Sequence, residues 1–255
     1  MKEKIHWLFL VFFIVMLISN GIYAADIAEI QKNLEEHYTI KKPDGTGPFP
    51  AVMLVPGCSG FHAEFQKGHY DNVQKRLVEL GYVTLRVNYQ AARNVDSCYP
   101  DVSANAVADD ICTAAEYLHK QTFVKIDAIN ILAWSYGAAG ALRALRASSS
   151  REPAKVDALV TYYPSCDYAR KWDSKVPVLV LVGSIDNVAP LTKCEALFSY
   201  VPNKDKITTR VYDDAHHSFD NPDLPAQMQY QFGTLGYNEA AANAAWEEVT
   251  KFLYK

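Results

Sequence analysis

The sequence contains no cluster of basic residues and no cysteine pair with metal-site spacing. Its 255 residues carry 25 Lys and Arg against 29 Asp and Glu, giving a formal net charge of −4 without a basic stripe. This balance argues against a nucleic acid surface. None of the five cysteines stands in a C-x-x-C pair, so neither a zinc ribbon nor a thioredoxin-type site is expected. No internal repeat or low-complexity linker divides the chain.

Long apolar runs are also missing, except at the N-terminus. There, the basic start "MKEK" precedes an apolar run from Trp7 to Ser19, and "NGIYAA" follows with small residues. This is the layout of a signal peptide. We expect cleavage after Ala24, which leaves residues 25–255 as a single periplasmic or secreted domain with no stable membrane span. The alternative is an uncleaved anchor, although the run is shorter than the ~20 residues of a spanning helix.

Apolar strands alternate with helices along the remaining chain. Strands are predicted at 50–57, 82–89, 128–134, 156–164, 176–183 and 207–214, and those at 50–57, 156–164 and 176–183 are expected to be buried. Helices are predicted at 65–82, 104–120, 136–147, 192–201 and 238–255. This alternation predicts an α/β fold with a mostly parallel sheet and helices on both faces. In such sheets the ligand site lies beyond the carboxyl ends of the strands.

Three polar residues follow three of these strands, namely Ser135, Asp186 and His217. Their order along the chain is that of the α/β-hydrolase triad and differs from the chymotrypsin and subtilisin orders. A serine hydroxyl attacks well only when a base takes its proton, and the pKa of histidine suits this role. A carboxylate then fixes the imidazole ring and stabilises its charged form.

Each residue also has an ordinary structural interpretation. Ser135 could be a helix N-cap, Asp186 a turn aspartate, and His217 a surface histidine beside His216. The shared order and the placement at strand ends favour the triad. Competing acids are Asp167, Asp213 and Asp214, which rank lower because Asp186 follows the cleanest strand.

The segment "AWSYGAAG" departs from the G-x-S-x-G elbow at Ala133, while Gly137 fits the second glycine. The extra methyl is tolerable if the backbone at Ala133 keeps a negative φ. An oxyanion hole should use the N–H of Tyr136 and one from the glycine-rich loop "VPGCSGFH", where Cys58 is the candidate. The alternative for this loop is a plain tight turn.

These segments resemble the dienelactone hydrolase family of α/β hydrolases, in particular its exported bacterial members. "VPGCSGFH" resembles the family's HGxxG loop, "AWSYGAAG" its elbow and "VLVLVGSIDNVAPLTKC" its acid loop. "VYDDAHHSF" resembles Ala-x-His-x-Phe, which selects His217 over His216 because Ala215 and Phe219 then align. The resemblance covers nearly all of residues 25–255 and implies an α/β-hydrolase fold without a large lid domain.

The resemblance implies hydrolysis of a small ester or lactone through an acyl-enzyme on Ser135. Ser135 stands where the family has cysteine, which favours ordinary ester hydrolysis, and Gly57 stands where the first loop has glutamate. No metal or organic cofactor is implied, because the triad supplies its own acid–base chemistry. The alternatives are a non-catalytic binding protein of the same fold, and a thioesterase or peptidase.

Within this frame, candidate pocket residues are Phe61, His62, Tyr89, Arg93, Tyr163 and Phe219. Arg93 lies in about the loop of the family's carboxylate-binding arginines, and the aromatic residues could equally be rim packing. The segment 223–238 after the histidine either covers the site or is ordinary surface.

The same frame implies disulfides Cys58–Cys98 and Cys166–Cys194, because each pair follows strand ends that should be neighbours. Cys112 would remain buried on its helix. Export makes disulfides possible, and five reduced thiols are the alternative.

Overall fold

The structure, a computed structural model, describes residues 29, 32–147, 156–169, 171–201 and 203–254. The expected signal peptide, residues 1–24, lies outside them. Within these residues, every helix is too short or too polar to cross a bilayer.

Seven strands form the central sheet in the spatial order β1-β3-β2-β4-β5-β6-β7. Their bounds are β1 Thr39–Lys41, β2 Phe49–Val55, β3 Val83–Arg86, β4 Val124–Trp134, β5 Ala158–Tyr162, β6 Val178–Gly183 and β7 Ile207–Tyr212. Only β1 is antiparallel to its neighbour. The inner parallel strands are apolar because both faces of the sheet are covered, and β6 is buried at every position. The edge strand β7 is more polar and is partly or fully exposed at each position. The six predicted strands correspond to β2–β7, while the three-residue β1 was not predicted.

Five α-helices whose full extent is described cover the sheet: α1 Lys67–Glu79, α2 Ala104–His119, α3 Ser135–Ala144, α4 Leu191–Phe198 and α5 Glu239–Leu253. Helices α2 and α3 bury residues such as Ile111 and Leu142 against one face. Helices α1 and α5 bury residues such as Leu77 and Val249 against the other. The predicted α/β fold with helices on both faces is therefore confirmed.

A small hairpin occupies the segment 223–238, for which only a loop was expected. Its strands are β8 Met228–Tyr230 and β9 Gly233–Leu235. The Thr234 N–H donates to Asn187 Oδ1 at 2.8 Å, and the Gly236 N–H donates to the His217 carbonyl at 3.0 Å. These bonds hold the hairpin over the loops that carry Asp186 and His217.

Two disulfides join loops at the carboxyl end of the sheet, and they are the two pairs that the family resemblance implied. Their Cα atoms are 4.8 Å apart in Cys58–Cys98 and 5.0 Å apart in Cys166–Cys194. Cys112 is buried and belongs to neither bridge. Two disulfides fit a protein that folds in an oxidising compartment.

Candidate active site

Ser135 lies at the sharp turn between β4 and α3. Trp134 is still extended, with φ −119° and ψ 139°, whereas Ser135 has a φ of +47°. This left-handed conformation is strained for serine and holds its side chain beyond the strand end. Ser135 is the first helical residue rather than the N-cap, which is Trp134. Ala133 pairs with Val55 and Thr161 within the sheet, so its methyl sits on ordinary extended backbone.

The turn is packed too closely for larger residues. A Cβ at Gly137 would lie 2.2 Å from the Pro56 carbonyl oxygen and 2.7 Å from that of Val55. Helix α3 therefore approaches the end of β2 through the bare backbone of Gly137. At Gly140 a Cβ would instead meet the Val107 side chain, at 2.4 Å from Cγ1.

Gly137→Ala should lower the free energy of unfolding by about 3 kcal/mol or more, because its methyl collides with backbone that cannot rotate away. Gly68→Ala, in the first turn of α1, is the matched control, since a Cβ there would meet the carboxylate end of the Asp223 side chain, at 2.8 Å from Oδ2, which has some freedom to move. Urea denaturation of both variants measures the difference. Equal losses would contradict the idea that backbone contact makes Gly137 special.

Asp186 follows β6, His217 follows β7, and the structure brings both to Ser135. His217 Nδ1 lies 2.8 Å from Asp186 Oδ2, and His217 Nε2 lies 3.0 Å from Ser135 Oγ. Asp186 Oδ1 accepts the N–H groups of Val188 and Ala189 at 2.9 and 2.8 Å. The Oδ1 atom of Asp186 thus stabilises the turn in which the residue lies, while its Oδ2 atom contacts His217.

This arrangement fixes the tautomer of His217. An ionised carboxylate only accepts hydrogen bonds, so Nδ1 must carry the proton that Asp186 Oδ2 receives. Nε2 then presents its lone pair to the Ser135 hydroxyl, which donates. His217 is buried rather than a surface histidine, while the competing acids Asp213 and Asp214 are exposed.

The glycine-rich loop after β2 lies against Ser135. A Cβ on Gly57 would be 3.3 Å from the Ser135 Cβ. The Tyr136 N–H belongs to the first turn of α3, so it has no intrahelical acceptor. Cys58 and Ser135 line the same pocket, and the oxyanion role of the two N–H groups stays a prediction.

Buried side chains hold this loop in place. Tyr89 Oη donates to the Gly57 carbonyl at 3.0 Å, and Gln90 Nε2 donates to the same oxygen at 3.0 Å. The Gly57 N–H donates to Tyr70 Oη at 3.2 Å. On the far side, the Cys98 N–H donates to the Cys58 carbonyl at 2.9 Å, beside the disulfide. The loop that carries the Cys58 N–H is therefore fixed by hydrogen bonds and by a covalent link.

Removing the Cys58–Cys98 disulfide should lower both stability and activity. The two bridges close loops of 40 and 28 residues in the unfolded chain. By reducing the entropy of that chain, each should contribute about 4 kcal/mol to the free energy of unfolding. If the Cys58 N–H binds an oxyanion as the sequence predicts, Cys58→Ser/Cys98→Ser should also lower kcat about tenfold, because this N–H loses its support. Cys166→Ser/Cys194→Ser is the matched control. Equal kcat in the two double variants at a temperature where both are folded would count against this role.

A pocket of about 60 Å³ adjoins Ser135. Of the predicted pocket residues, only Tyr163 lines it, with its ring centroid 4.4 Å from that of His217. Its other walls include Phe65, Tyr70, Trp134, Tyr230 and Leu235, which the sequence interpretation missed. The last two come from the unpredicted hairpin.

Three of the predicted aromatic contacts are wrong in placement. Phe61 packs edge-on against Tyr70 in the core, and Phe219 is fully buried among other rings. Tyr89 is fully buried behind the glycine-rich loop, which its hydroxyl supports. All three lie in the expected loops, but their side chains point inward because large rings gain most from full burial.

Arg93 and His62 also lie outside this pocket. Arg93 forms two hydrogen bonds to the Asp110 carboxylate, at 2.5 and 3.0 Å, so its charge is already paired. His62 Nε2 lies 3.0 Å from Asn88 Nδ2, on the wall of a neighbouring cavity. Arg93 as a ligand for a substrate carboxylate is therefore corrected to a structural ion pair.

Asp220 forms a buried polar cluster behind the pocket. Trp134 Nε1 donates to its Oδ2 at 2.9 Å, and Tyr163 Oη donates to its Oδ1 at 2.7 Å. His69 Nε2 lies 3.4 Å from Oδ2. Burial raises the pKa of Tyr163 well above its usual value, so its hydroxyl stays a donor. The cluster positions the Tyr163 ring against His217. The backbone of Tyr163 has a strained φ of +38°.

His69 should make stability fall at acidic pH. Burial lowers the pKa of His69 from its usual 6.5, despite the nearby carboxylates of Asp220 and Asp223. Below about pH 6.5 the unfolded chain takes up a proton that the folded protein does not, so stability is complete above this pH and is lost as pH falls. The free energy of unfolding of His69→Gln, measured by urea denaturation at several pH values between 7.5 and 5.5, should fall less steeply with decreasing pH than that of wild type. His37→Gln, which changes an exposed histidine, should keep the wild-type dependence on pH. If the free energy of unfolding varied with pH equally in all three proteins, the effect of His69 would be ruled out.

Comparisons with known proteins identify the family of the chain. A model of the dienelactone hydrolase family matches residues 37–255. A "Probable 2-oxo-3-(5-oxofuran-2-ylidene)propanoate lactonase" of Bradyrhizobium sp. is 25% identical over 179 residues, which span 66% of this chain and 66% of that protein, just under two thirds.

Solved structures share the fold. The "Putative Dienelactone Hydrolase" from Klebsiella pneumoniae subsp. pneumoniae MGH 78578 aligns over 86% of this chain and 92% of its own, with 17% identity and a TM-score of 0.68. A butyrate-bound esterase of Thermogutta terrifontis aligns over 85% of this chain and 88% of its own, with 14% identity and a TM-score of 0.61. Since the family model matches most of the sequence, the chain belongs to the dienelactone hydrolase family.

Proposed function

We propose that the protein is a serine hydrolase that cleaves small esters or lactones through an acyl-enzyme on Ser135. The observation that carries the proposal is the hydrogen-bonded row Ser135 Oγ, His217 and Asp186, with links of 3.0 and 2.8 Å, at the edge of a pocket. The names of the Bradyrhizobium lactonase and the Thermogutta esterase describe the same reaction classes.

In the proposed reaction, Ser135 Oγ attacks the substrate carbonyl carbon while His217 Nε2 takes the hydroxyl proton. Asp186 keeps the ring oriented and stabilises its positive charge. The carbonyl oxygen becomes an oxyanion, which the Cys58 and Tyr136 N–H groups would bind. His217 then returns the proton to the leaving alkoxide oxygen. A water molecule, deprotonated by the same nitrogen, attacks the acyl-enzyme, and release of the acid restores Ser135 with its proton.

We also propose that residues 1–24 are a signal peptide and that the mature protein is periplasmic or secreted. The two disulfides, which bridge loops around the site, support this location.

A fluorophosphonate probe tests the nucleophile directly. Wild-type protein should gain one probe mass per chain, and peptide mapping should place it on Ser135. Ser135→Ala should stay unlabelled, whereas Ser59→Ala, which changes another serine of the pocket wall, should still be labelled. A folded wild-type protein that takes up no probe and hydrolyses no p-nitrophenyl ester would be a binding protein of this fold instead.

A further inference from the structure

The pocket beside Ser135 adjoins a second, much larger cavity. The second cavity measures about 790 Å³, within the range of ligand sites, and the pocket beside Ser135 about 60 Å³. One water needs about 10–15 Å³ by this measure, so the small pocket accepts roughly four heavy atoms. Ser59, Phe65 and Tyr230 line both spaces, and the Ser59 and Tyr230 hydroxyls lie 3.4 Å apart. The two spaces therefore lie side by side at these three side chains.

The walls of the large cavity combine apolar surface with many hydrogen-bonding groups and carry almost no charge. They carry amides, hydroxyls and imidazoles from Asn33, Asn88, Gln90, Asn94, Ser59, Ser97, His37 and His62. Among the described residues, the lining contains one carboxylate, Asp96, and neither lysine nor arginine. Amides and hydroxyls both donate and accept, as the hydroxyl groups of a polyol do. A substrate carboxylate would instead lose its hydration here without gaining a cation.

The cavity wall is connected to the reaction centre. Gln90, which lines the cavity, donates to the carbonyls of Gly57 and Cys58 at 3.0 and 3.3 Å. Its Oε1 is buried and lacks a hydrogen-bond partner within the described part of the chain. Asn88 bonds His62 at 3.0 Å and the Ala91 N–H at 3.2 Å, so part of the polar lining is held in fixed positions.

Aromatic rings lead from solvent to the shared wall. Tyr99 contacts Phe232, Phe232 contacts Tyr230, and Tyr230 contacts Phe65, with ring centroids 6.0 to 6.1 Å apart. Tyr99 and Phe232 are 67% and 48% exposed, although large rings normally gain from burial. Exposed rings beside a polar cavity suit a ligand with one apolar face and many hydroxyls.

We propose that the substrates are short-acyl esters, of about acetyl size, of a neutral, hydroxyl-rich alcohol such as a sugar. The acyl group occupies the small pocket at Ser135, and the sugar occupies the amide-lined cavity. This inference rests on the proposed serine hydrolase function. It also accounts for Arg93, which is held by Asp110 and does not face the cavity as a carboxylate ligand would.

The test compares acetate esters of two alcohols, a methyl glucoside and hexanol, with p-nitrophenyl acetate as the measure of basic activity. Wild type should favour the sugar ester over hexyl acetate by about tenfold or more in kcat/KM, the worth of one or two hydrogen bonds. It should also favour p-nitrophenyl acetate over p-nitrophenyl octanoate.

Two variants alter the cavity. Ala91→Trp fills it, and Asn94→Gly deletes an amide while keeping the left-handed backbone, with φ +53°. Each should lower the ratio of kcat/KM for the sugar ester over hexyl acetate several-fold, mainly through KM. Ala240→Trp, on the exposed face of α5, is the control and should leave the ratio unchanged. If Ala91→Trp does not fold, Asn94→Gly alone decides the point.

Equal rates on the two acetates, or a ratio that neither variant changes, would overturn the sugar site. A preference for p-nitrophenyl octanoate over p-nitrophenyl acetate would contradict the proposed size of the acyl group. Both failures leave Ser135-dependent hydrolysis of p-nitrophenyl acetate intact. Loss of that hydrolysis in wild type would instead reject the proposed function, so the two are distinguishable.

Discussion

Ser135→Ala and His217→Ala should each lower kcat for p-nitrophenyl acetate by about a million-fold, or to the uncatalysed rate, and the double variant should be no slower. In the proposed mechanism the two groups act in one step, since the proton would pass along the 3.0 Å link between Ser135 Oγ and His217 Nε2. Without His217, Ser135 would have no base to take its proton, and without Ser135, His217 would have no nucleophile to activate. The losses should therefore not add.

His216→Ala is the control for this series. His216 is adjacent in sequence but does not make the hydrogen bonds that His217 makes to Ser135 and Asp186. Its kcat should stay within about threefold of wild type, as usual for a substitution outside the reacting groups. Circular dichroism and thermal melting check that all variants fold. Additive losses in the double variant, or a collapse of activity in His216→Ala, would contradict the assignment of His217.

The strands β2–β7 and the strand-end residues were predictable because a parallel sheet forces both patterns. The inner strands of such a sheet are buried on both faces, so they read as apolar runs, and the carboxyl ends of all its parallel strands share one edge. The edge strand β7 is exposed and lacks such a run. Ser135, Asp186 and His217 each follow a strand, and the structure places them in one row. The remaining question at Ala133 was its backbone, which is extended within β4.

The pocket walls were not predictable because they depend on side-chain direction. Tyr89 lies in the expected loop but points behind it, whereas Trp134 precedes Ser135 and lines the pocket. The hairpin strands β8 and β9 are three residues each and lack an apolar run. His69 and Asp220 are 151 positions apart, and only the packing of α1 against the sheet brings them together. No local pattern carries such a contact.

Asp186→Asn should lower kcat by about ten-thousand-fold while the protein stays folded. The reason lies in how the carboxylate is shared. Oδ1 accepts two backbone N–H groups at 2.9 and 2.8 Å, so the oxygen of an asparagine would remain there. Its NH₂ group would then replace Oδ2 and face His217 Nδ1, now 2.8 Å away. An NH₂ group only donates, so Nδ1 must become the acceptor and the ring proton must move to Nε2. Nε2 can then no longer take the proton of Ser135.

Nitrogen-15 spectra of the His217 ring report this change directly, because they distinguish a proton on Nδ1 from one on Nε2. The move of the ring proton from Nδ1 to Nε2 should accompany the loss of kcat, and KM should change little. Asp213→Asn and Asp214→Asn are matched controls, since both carboxylates are exposed and lie beside the histidines in sequence. They should keep near wild-type kcat and the Nδ1–H tautomer. If either control lost activity as Asp186→Asn does, or if Asp186→Asn kept the Nδ1 proton, the carboxylate that orients His217 would have to be sought elsewhere.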